Sequence, residues 1–336
     1  MKPVLKIAFC DFWNGFSPKD SIFWKILSEK YEPVITEDPQ FLFCSCFGHE
    51  HLKYDCIKIF FTGECETPDF NLYDYAIGFD RISFGDRYLR FPVYLLKEDR
   101  CRQMEEKHLH RVPKTSFCSF VYSNVQACGE RDEFFNILSS RRRIDSGGRH
   151  NNNIGAPVED KFRFLLEHKF DIAFENASHP GYTTEKIVDA FAAGAIPVYS
   201  GDPDIGLTFN KAAFIDIDDF PTLEEAADEV LRIDSDEKAA EMMLSQPALV
   251  EGSCETYDEK VEELRGFLFR IAESHSFKRS VGFWGRRYQR QAMAREKAFR
   301  RSLFGLLSGI YKKTLWKSRR RNGFLWGIDK LTKSGR

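Results

Sequence analysis

The chain has 336 residues, 43% of them hydrophobic and 30% charged, a globular balance that excludes whole-chain disorder and suffices for two ordinary domains. The net charge of −2 hides an asymmetry: residues 277–336 hold 18 Lys and Arg against 2 Asp and Glu, a surplus of +16 that leaves −18 on the rest. An acidic body with a basic tail points to an anionic surface as the tail's partner. Nine cysteines form no Cys-x-x-Cys pair and meet no His cluster, which excludes the common zinc modules. Several, such as Cys44 and Cys118, sit in apolar runs and read as buried reduced thiols in a reducing compartment. The opening MKPVLKIAFCDFW has too short an apolar run for a signal peptide, and no apolar run reaches about 18 residues, so a cytoplasmic protein without a membrane span is expected.

In chain order, Val4–Phe9 reads as a first strand and Ser21–Lys30 as a helix, its apolar residues at helical spacing. Phe41–Cys46, Ile57–Thr62 and Tyr75–Phe79 read as buried strands, and Arg100–His108 as helical. Ser116–Tyr122 is the next strand, followed by a helix over Arg131–Ser139. The segment 141–156, with Gly147, Gly148 and three Asn, reads as loop. Lys161–His168 is helical, Phe170–Phe174 a strand, Thr184–Ala193 a helix, and Ile196–Tyr199 and Ala213–Ile215 strands; helices dominate from Leu223 to Ser274. Strands alternating with helices of about 10–15 residues predict parallel sheets covered on both faces. Two such sets, divided near residues 103–115, predict an α/β protein of two Rossmann-like domains facing a cleft. The expected domains are 1–112, 113–276 and a basic tail over 277–336. Ligands in such sheets bind at the carboxyl ends of the strands.

The chemistry concentrates in FDIAFENASHPGYTTEKIVDAFAAGAIPVYSGDPD, residues 170–204. It reads strand, polar loop, helix, strand. Thr183 or Thr184 can cap the helix, whose free N–H groups and positive dipole end favour an anion. Lys186 in the first turn opposes that dipole, which makes sense if a phosphate sits between it and the helix start; the plainer reading is a surface lysine. Asn176 follows the strand end, as a cleft residue or a turn-forming Asn. Upstream, Glu64 follows Ile57–Thr62 and Gly63 in a strand-end turn and by itself reads as a solvated carboxylate. Arg131 by itself reads as a helix-start surface residue.

The blocks FEN (174–176), GYTTEK (181–186) and IPVYSGDP (196–203) resemble the signature of the α-1,3-fucosyltransferases. The resemblance extends through FFTGE (60–64), YDYAIGFD (73–80), RYLRFP (87–92), SFVYSN (119–124), IDSGGR (144–149) and AFIDIDDF (213–220). It implies a GT-B fold, acceptor on the N-terminal half, GDP-fucose on the C-terminal half, and inversion at the fucose anomeric carbon. It implies Glu64 as general base, Arg131 and Lys186 as diphosphate ligands, and Asn176, Tyr182 and Glu185 as further donor contacts, Glu185 on ribose or fucose hydroxyls. A cleft that closes over Glu64 can raise its pKa toward neutrality. Two cations and a helix start at the leaving GDP stabilise the transition state more than the ground state, a task a divalent metal otherwise performs. No metal ligand set and no cofactor beyond the co-substrate GDP-fucose is therefore expected. Cys65 stands where relatives often have Asn, and Ser200 where a larger residue is common; both positions bear on acceptor preference.

The expected reaction carries fucose to O3 of N-acetylglucosamine in an N-acetyllactosamine-type glycan, in lipopolysaccharide or Lewis-type surface-glycan synthesis. The alternatives are an α-1,4 linkage, another GDP-sugar, or a non-catalytic nucleotide-sugar-binding module with a membrane tail. In that tail, residues 303, 304, 307, 310, 311 and 315 share one side of a projected helix, with Arg301 and Lys312 near the other. A basic helix with aromatic anchors suits an anionic inner leaflet, which predicts a peripheral, cytoplasmic-face location. A solvated or oligomerising tail is the alternative. No nucleic-acid-binding motif is present, and no nucleic-acid partner is expected.

Overall fold

The computed structural model describes the whole chain except residues 107–111, 125–128, 275, 278, 281, 303–306 and 308–336. Two all-parallel sheets organise it. The first has six strands: β1 (Val4–Cys10), β2 (Glu32–Ile35), β3 (Phe41–Cys44), β4 (Ile57–Phe61), β5 (Tyr75–Gly78) and β6 (Tyr88–Arg90), in the order β2-β1-β3-β4-β5-β6. The second has β7 (Ser116–Phe120), β8 (Asp145–Ser146), β9 (His168–Phe174), β10 (Ile196–Ser200) and β11 (Ile215–Asp216), in the order β11-β10-β9-β7-β8. Strands inside such sheets are covered on both faces and read as unbroken apolar runs. β3 and β10 are buried at every position, and so is β4 despite its Lys58. Burial there lowers the Lys58 pKa.

The helices are α1 (Ile22–Lys30), α2 (Glu98–Glu105), α3 (Gly129–Arg141), α4 (Lys161–Leu166), α5 (Glu185–Ala192), α6 (Leu223–Ser235), α7 (Glu237–Ser245), α8 (Tyr257–Glu273) and α9 (Phe283–Arg301). α1 starts where the Ser21 hydroxyl accepts the Trp24 N–H, and α8 starts on a reciprocal Thr256–Glu259 capping box. α8 leaves the second sheet behind. Its Leu264, Phe267, Leu268 and Ile271 join the same core as Phe23, Ile26 and Leu27 of α1. α5 is buried from Ile187 through Ala192, because it lies between the two halves of the molecule and shares that core with Cys101 and Met104 of α2. Every cysteine among the described residues is free. Cys44, Cys56, Cys101 and Cys118 are buried, whereas Cys65 and Cys254 are exposed.

The helix projected over residues 303–315 lies outside the described residues apart from Leu307; within 277–336 the structure describes α9, which precedes it. Gly285 is buried and Gln289, Ala292 and Glu296 are half-buried, a polar stripe at helical spacing. Gln289 donates to the Leu52 carbonyl at 2.8 Å, Tyr288 donates to Asp69 at 2.9 Å, and His49 lies 3.2 Å from Glu296. α9 therefore docks on the first sheet's turn Glu50–Lys53 through small and polar groups. Of the projected apolar face only Leu307 lies within the described residues, and it is exposed.

Polar clamps tie the halves together. Arg90 Nη1 donates to both carboxylate oxygens of Glu255 at 2.8 and 2.9 Å, and Arg81 donates to the Thr208 hydroxyl at 2.8 Å. Buried Asp189 on α5 meets Lys161 at 3.2 Å and Lys97, next to α2, at 3.5 Å. Removing one member of a largely buried pair strands the other's charge. Arg90→Ala is thus expected to lower the unfolding free energy by about 3 kcal/mol. Urea unfolding followed by circular dichroism measures it, and an unchanged midpoint contradicts the clamp.

Candidate active site

β9 delivers Glu175 to its carboxyl end, and the surroundings are built around that buried carboxylate. The Glu175 N–H donates to the Ser200 carbonyl at 2.8 Å, which continues the β9–β10 ladder by one residue. One carboxylate oxygen accepts the Thr184 backbone N–H at 2.6 Å. The other accepts the Thr184 hydroxyl at 2.7 Å and the Lys186 ammonium at 2.6 Å. A side chain from a neighbouring strand thus caps α5. The expected self-capping is absent: Thr184 holds the N-cap position, but its hydroxyl makes no cap bond to α5. The unfavourable charge of Lys186 at a helix start is offset by Glu175, so α5 is stable there without a ligand. The ammonium also reaches the Thr184 hydroxyl at 2.9 Å. A lysine has a third N–H to give.

Two glycines make this packing possible. Gly201 has φ +154°, and a Cβ there would lie 2.6 Å from Glu175 Cβ and Cγ. Gly181 has φ +83°, and a Cβ there would lie 2.4 Å from the Phe79 carbonyl of the opposite half. The loop between β9 and α5 is pinned from below by buried Asp202, which accepts the Gly181 N–H at 2.7 Å and faces the Thr183 hydroxyl at 3.2 Å. Tyr182 is held against Phe79, ring centroids 5.1 Å apart and edge-on. Burial, with Glu175 and Glu64 nearby, pushes its hydroxyl well above the usual phenol range.

Arg131 on α3 is fully buried, against the surface reading of its local sequence. Its guanidinium lies 4.3 Å from the Tyr122 ring centroid and donates to the Asn124 carbonyl at 2.8 Å. The Tyr122 hydroxyl in turn donates to the Ile172 carbonyl at 2.7 Å and accepts the Phe174 N–H at 2.6 Å. Tyr122 therefore links Arg131 to the strand end that carries Glu175. Arg131 Nη1 has no hydrogen-bond partner among the described residues. The IDSGGR segment packs beside this group; a Cβ on Gly148 would lie 1.9 Å from the Tyr122 carbonyl. His150 fixes the loop to α3 through Asp132 at 2.9 Å.

The structure gathers Asn176, Tyr182, Glu185 and Lys186 on one strand–loop–helix unit, with Arg131 joined to it through Tyr122. Asn176 is half-buried. Burial pushes the Glu185 carboxyl up, but Lys186, Lys161 and Lys97 outweigh it and hold it below its ordinary value. Glu64 comes from the other half. It is exposed, just beyond β4, and the Thr62 hydroxyl accepts its N–H at 3.0 Å. Reading the residues singly missed Glu175, Asp202 and Gly201. The available signal was a carboxylate directly at a strand end, one position before Asn176. Among the described residues no three His, Cys, Asp or Glu side chains are grouped to hold a metal ion, and no helix is long and apolar enough to cross a membrane.

Residues 7–97 match the family profile "Alpha-(1,3)-fucosyltransferase FucT N-terminal domain", and residues 112–243 match "Glycosyltransferase family 10 (fucosyltransferase) C-term". A solved structure titled "Crystal Structure of alpha1,3-Fucosyltransferase with GDP-fucose" is 30% identical and superposes with a TM-score of 0.71 over 83% of this chain and 93% of that one. The chain belongs to the bacterial α-1,3-fucosyltransferase family. Its two parallel sheets are the GT-B arrangement of that structure. The Helicobacter pylori protein "Alpha-(1,3)-fucosyltransferase FucT" is 34% identical over 270 residues, 67% of this chain and 56% of its own length. The "Putative fucosyltransferase R654" of Acanthamoeba polyphaga mimivirus is 27% identical over 58% of this chain and 34% of its own. The chain thus spans between a third and somewhat over half of these two relatives.

Beneath the site, Asp171 lies mid-strand in β9. Burial pushes its carboxyl up to about 7, with Asp189 adding to the rise, although Lys161 and the Ser119 hydroxyl at 2.6 Å oppose it. Between the ordinary value of 3.8 and about 7, the folded chain keeps a proton that the unfolded chain has lost. The contribution of this group to stability is therefore present below the lower value and lost as pH rises through the higher one. Asp171→Asn is expected to remove that slope and gain stability relative to wild type between pH 4 and 8. Parallel pH profiles of the unfolding free energy contradict this.

Proposed function

We propose that the protein transfers fucose from GDP-fucose to O3 of an N-acetylglucosamine-type acceptor, with inversion. The carrying observation is the placement of two cations, Arg131 fully buried and Lys186 nearly so, around the carboxyl end of β9 in a chain of this family. On this reading residues 113–276 take the donor and residues 1–112 the acceptor. Lys186 gives its remaining N–H to the diphosphate while Glu175 keeps it in place, and Arg131 supplies the second charge through Nη1. Asn176, Tyr182 and Glu185 contact the nucleotide sugar. The acceptor oxygen attacks the fucose anomeric carbon as the bond to the β-phosphate oxygen breaks. Its proton passes to the Glu64 carboxylate, and the electron pair leaves on GDP. Fixed cations at the point of developing charge do the electrostatic work of a metal, and no divalent ion is needed.

The tail has a part in the same reading. α9 carries exposed Trp284 and Phe299 among exposed Arg287, Arg290, Arg295, Lys297 and Arg301. This composition fits peripheral contact with an anionic membrane face, where a lipid-linked or lipopolysaccharide acceptor is concentrated.

Glu64→Gln is expected to cut fucosyl transfer to N-acetyllactosamine by about a thousandfold while GDP affinity survives. Lys186→Ala is expected to weaken GDP binding by at least about tenfold. Retained turnover in the first removes Glu64 as base, and unchanged affinity in the second removes Lys186 from the phosphates. Replacing exposed α9 arginines by Gln is expected to lower partitioning into phosphatidylserine vesicles about fivefold per charge; unaltered partitioning removes the membrane role.

A further inference from the structure

At the carboxyl edge of the first sheet an aromatic cluster reaches the surface, with Phe47 exposed and Trp13, Phe12 and Phe16 partly buried. Phe47, just beyond β3, is 48% exposed. Trp13, just beyond β1, is half-buried and meets Phe47 edge-on, centroids 6.4 Å apart. Behind Trp13 stand Phe12 at 5.6 Å and Phe16 at 5.2 Å, themselves stacked at 3.9 Å. A grouped aromatic surface left exposed on a folded protein marks a place where something binds.

The shelf is held rigidly. Asp11, between β1 and Trp13, has φ +61°. Its carbonyl accepts the Phe47 N–H at 2.9 Å. Its carboxylate accepts the backbone N–H groups of Glu50 and His51, both at 2.9 Å, and contacts the His51 ring Nδ1 at 2.8 Å. Gly48 leaves room for that carboxylate: a Cβ there would lie 2.3 Å from Asp11 Oδ1. Burial pushes the Asp11 carboxyl up, but these hydrogen bonds outweigh it and hold it down to about 2, so the loop stays tied at any ordinary pH. Rigid loops carrying aromatic groups bind at little entropic cost.

The loop that carries Phe47 meets the turn that carries the proposed base. The Thr62 hydroxyl lies 3.4 Å from Cys46 Sγ, next to Phe47, and 3.0 Å from the Glu64 N–H. The cations assigned to the diphosphate, Arg131 on α3 and Lys186 on α5, belong to the other half. The partner of the shelf is therefore the neutral substrate. A pyranose presents a face of C–H groups that packs on aromatic rings, with its hydroxyls directed outward.

We propose that Phe47 and Trp13 form the subsite for the apolar face of the acceptor pyranose, and that Asp11 is the positioning residue that fixes this shelf beside Glu64. The assignment rests on the transferase reading above and adds which side chains select the acceptor. The test measures acceptor KM with N-acetyllactosamine and, separately, GDP affinity by calorimetry without acceptor. Phe47→Ala and Trp13→Ala are each expected to raise acceptor KM by about tenfold, the effect of losing one aromatic stacking contact. GDP affinity is expected to stay within about twofold, since the shelf belongs to the half opposite Arg131 and Lys186. Phe47→Tyr keeps the ring and is expected to restore the acceptor KM. Phe47 is exposed, so its truncation leaves the core intact, and a thermal melt checks this. Unchanged acceptor KM in both alanine variants overturns the subsite and leaves the surface to a protein or membrane partner. Glu64→Gln separates the two claims. If it abolishes turnover while the alanine variants keep the wild-type acceptor KM, the base stands and the shelf falls. If it remains active while acceptor KM rises in the alanine variants, the shelf stands and the base falls. Absence of transfer by the wild-type chain to any N-acetylglucosamine glycoside overturns both.

Discussion

The candidate site depends on one buried carboxylate. Glu175 directly follows β9, caps α5 through both the N–H and the hydroxyl of Thr184, and anchors Lys186. A buried carboxylate without such partners would cost several kcal/mol. The three donors offset that cost, and Gly201 is the condition for its fit. The loop between β9 and α5 hangs from the same frame through Asp202, so a shift of Glu175 would move Tyr182, Glu185 and Lys186 together. Preorganisation of this kind lets fixed charges stabilise a leaving group without reorganising during the reaction.

α5 also explains how the two halves come to face one another. Its amino end belongs to the site, and its apolar body packs against α2 of the first half. Asp189 on the same helix is neutralised by Lys97 and Lys161, one from each half. α8 returns from the second half to the first and seals the core on the far side. The candidate-site groups of the two halves are thus held by one continuous framework.

Much of this was legible in the sequence where the physics is local. β3, β4, β9 and β10 stood out as apolar runs because parallel strands are buried on both faces. β2 did not, since it begins Glu32-Pro33 and is largely exposed. β8 has only Asp145 and Ser146 and lies inside a segment that reads as loop. The return of α8 left no local mark. At the site, Lys186 and Tyr182 were visible through the resemblance of their motifs. Arg131 read locally as a surface residue because its burial is created by Tyr122, on a different element. Glu175 was passed over because its partners lie nine and eleven positions away and meet it only after the strand and helix pack.

The measurement that tests this account most directly is GDP affinity of Glu175→Gln, by calorimetry, beside wild type. The amide keeps the shape but surrenders the charge that holds Lys186 and the start of α5. The account predicts binding weakened by at least about tenfold, with the protein still folded. Affinity equal to or tighter than wild type would contradict it, because Glu175 would then compete with the diphosphate for Lys186 instead of presenting the lysine to it.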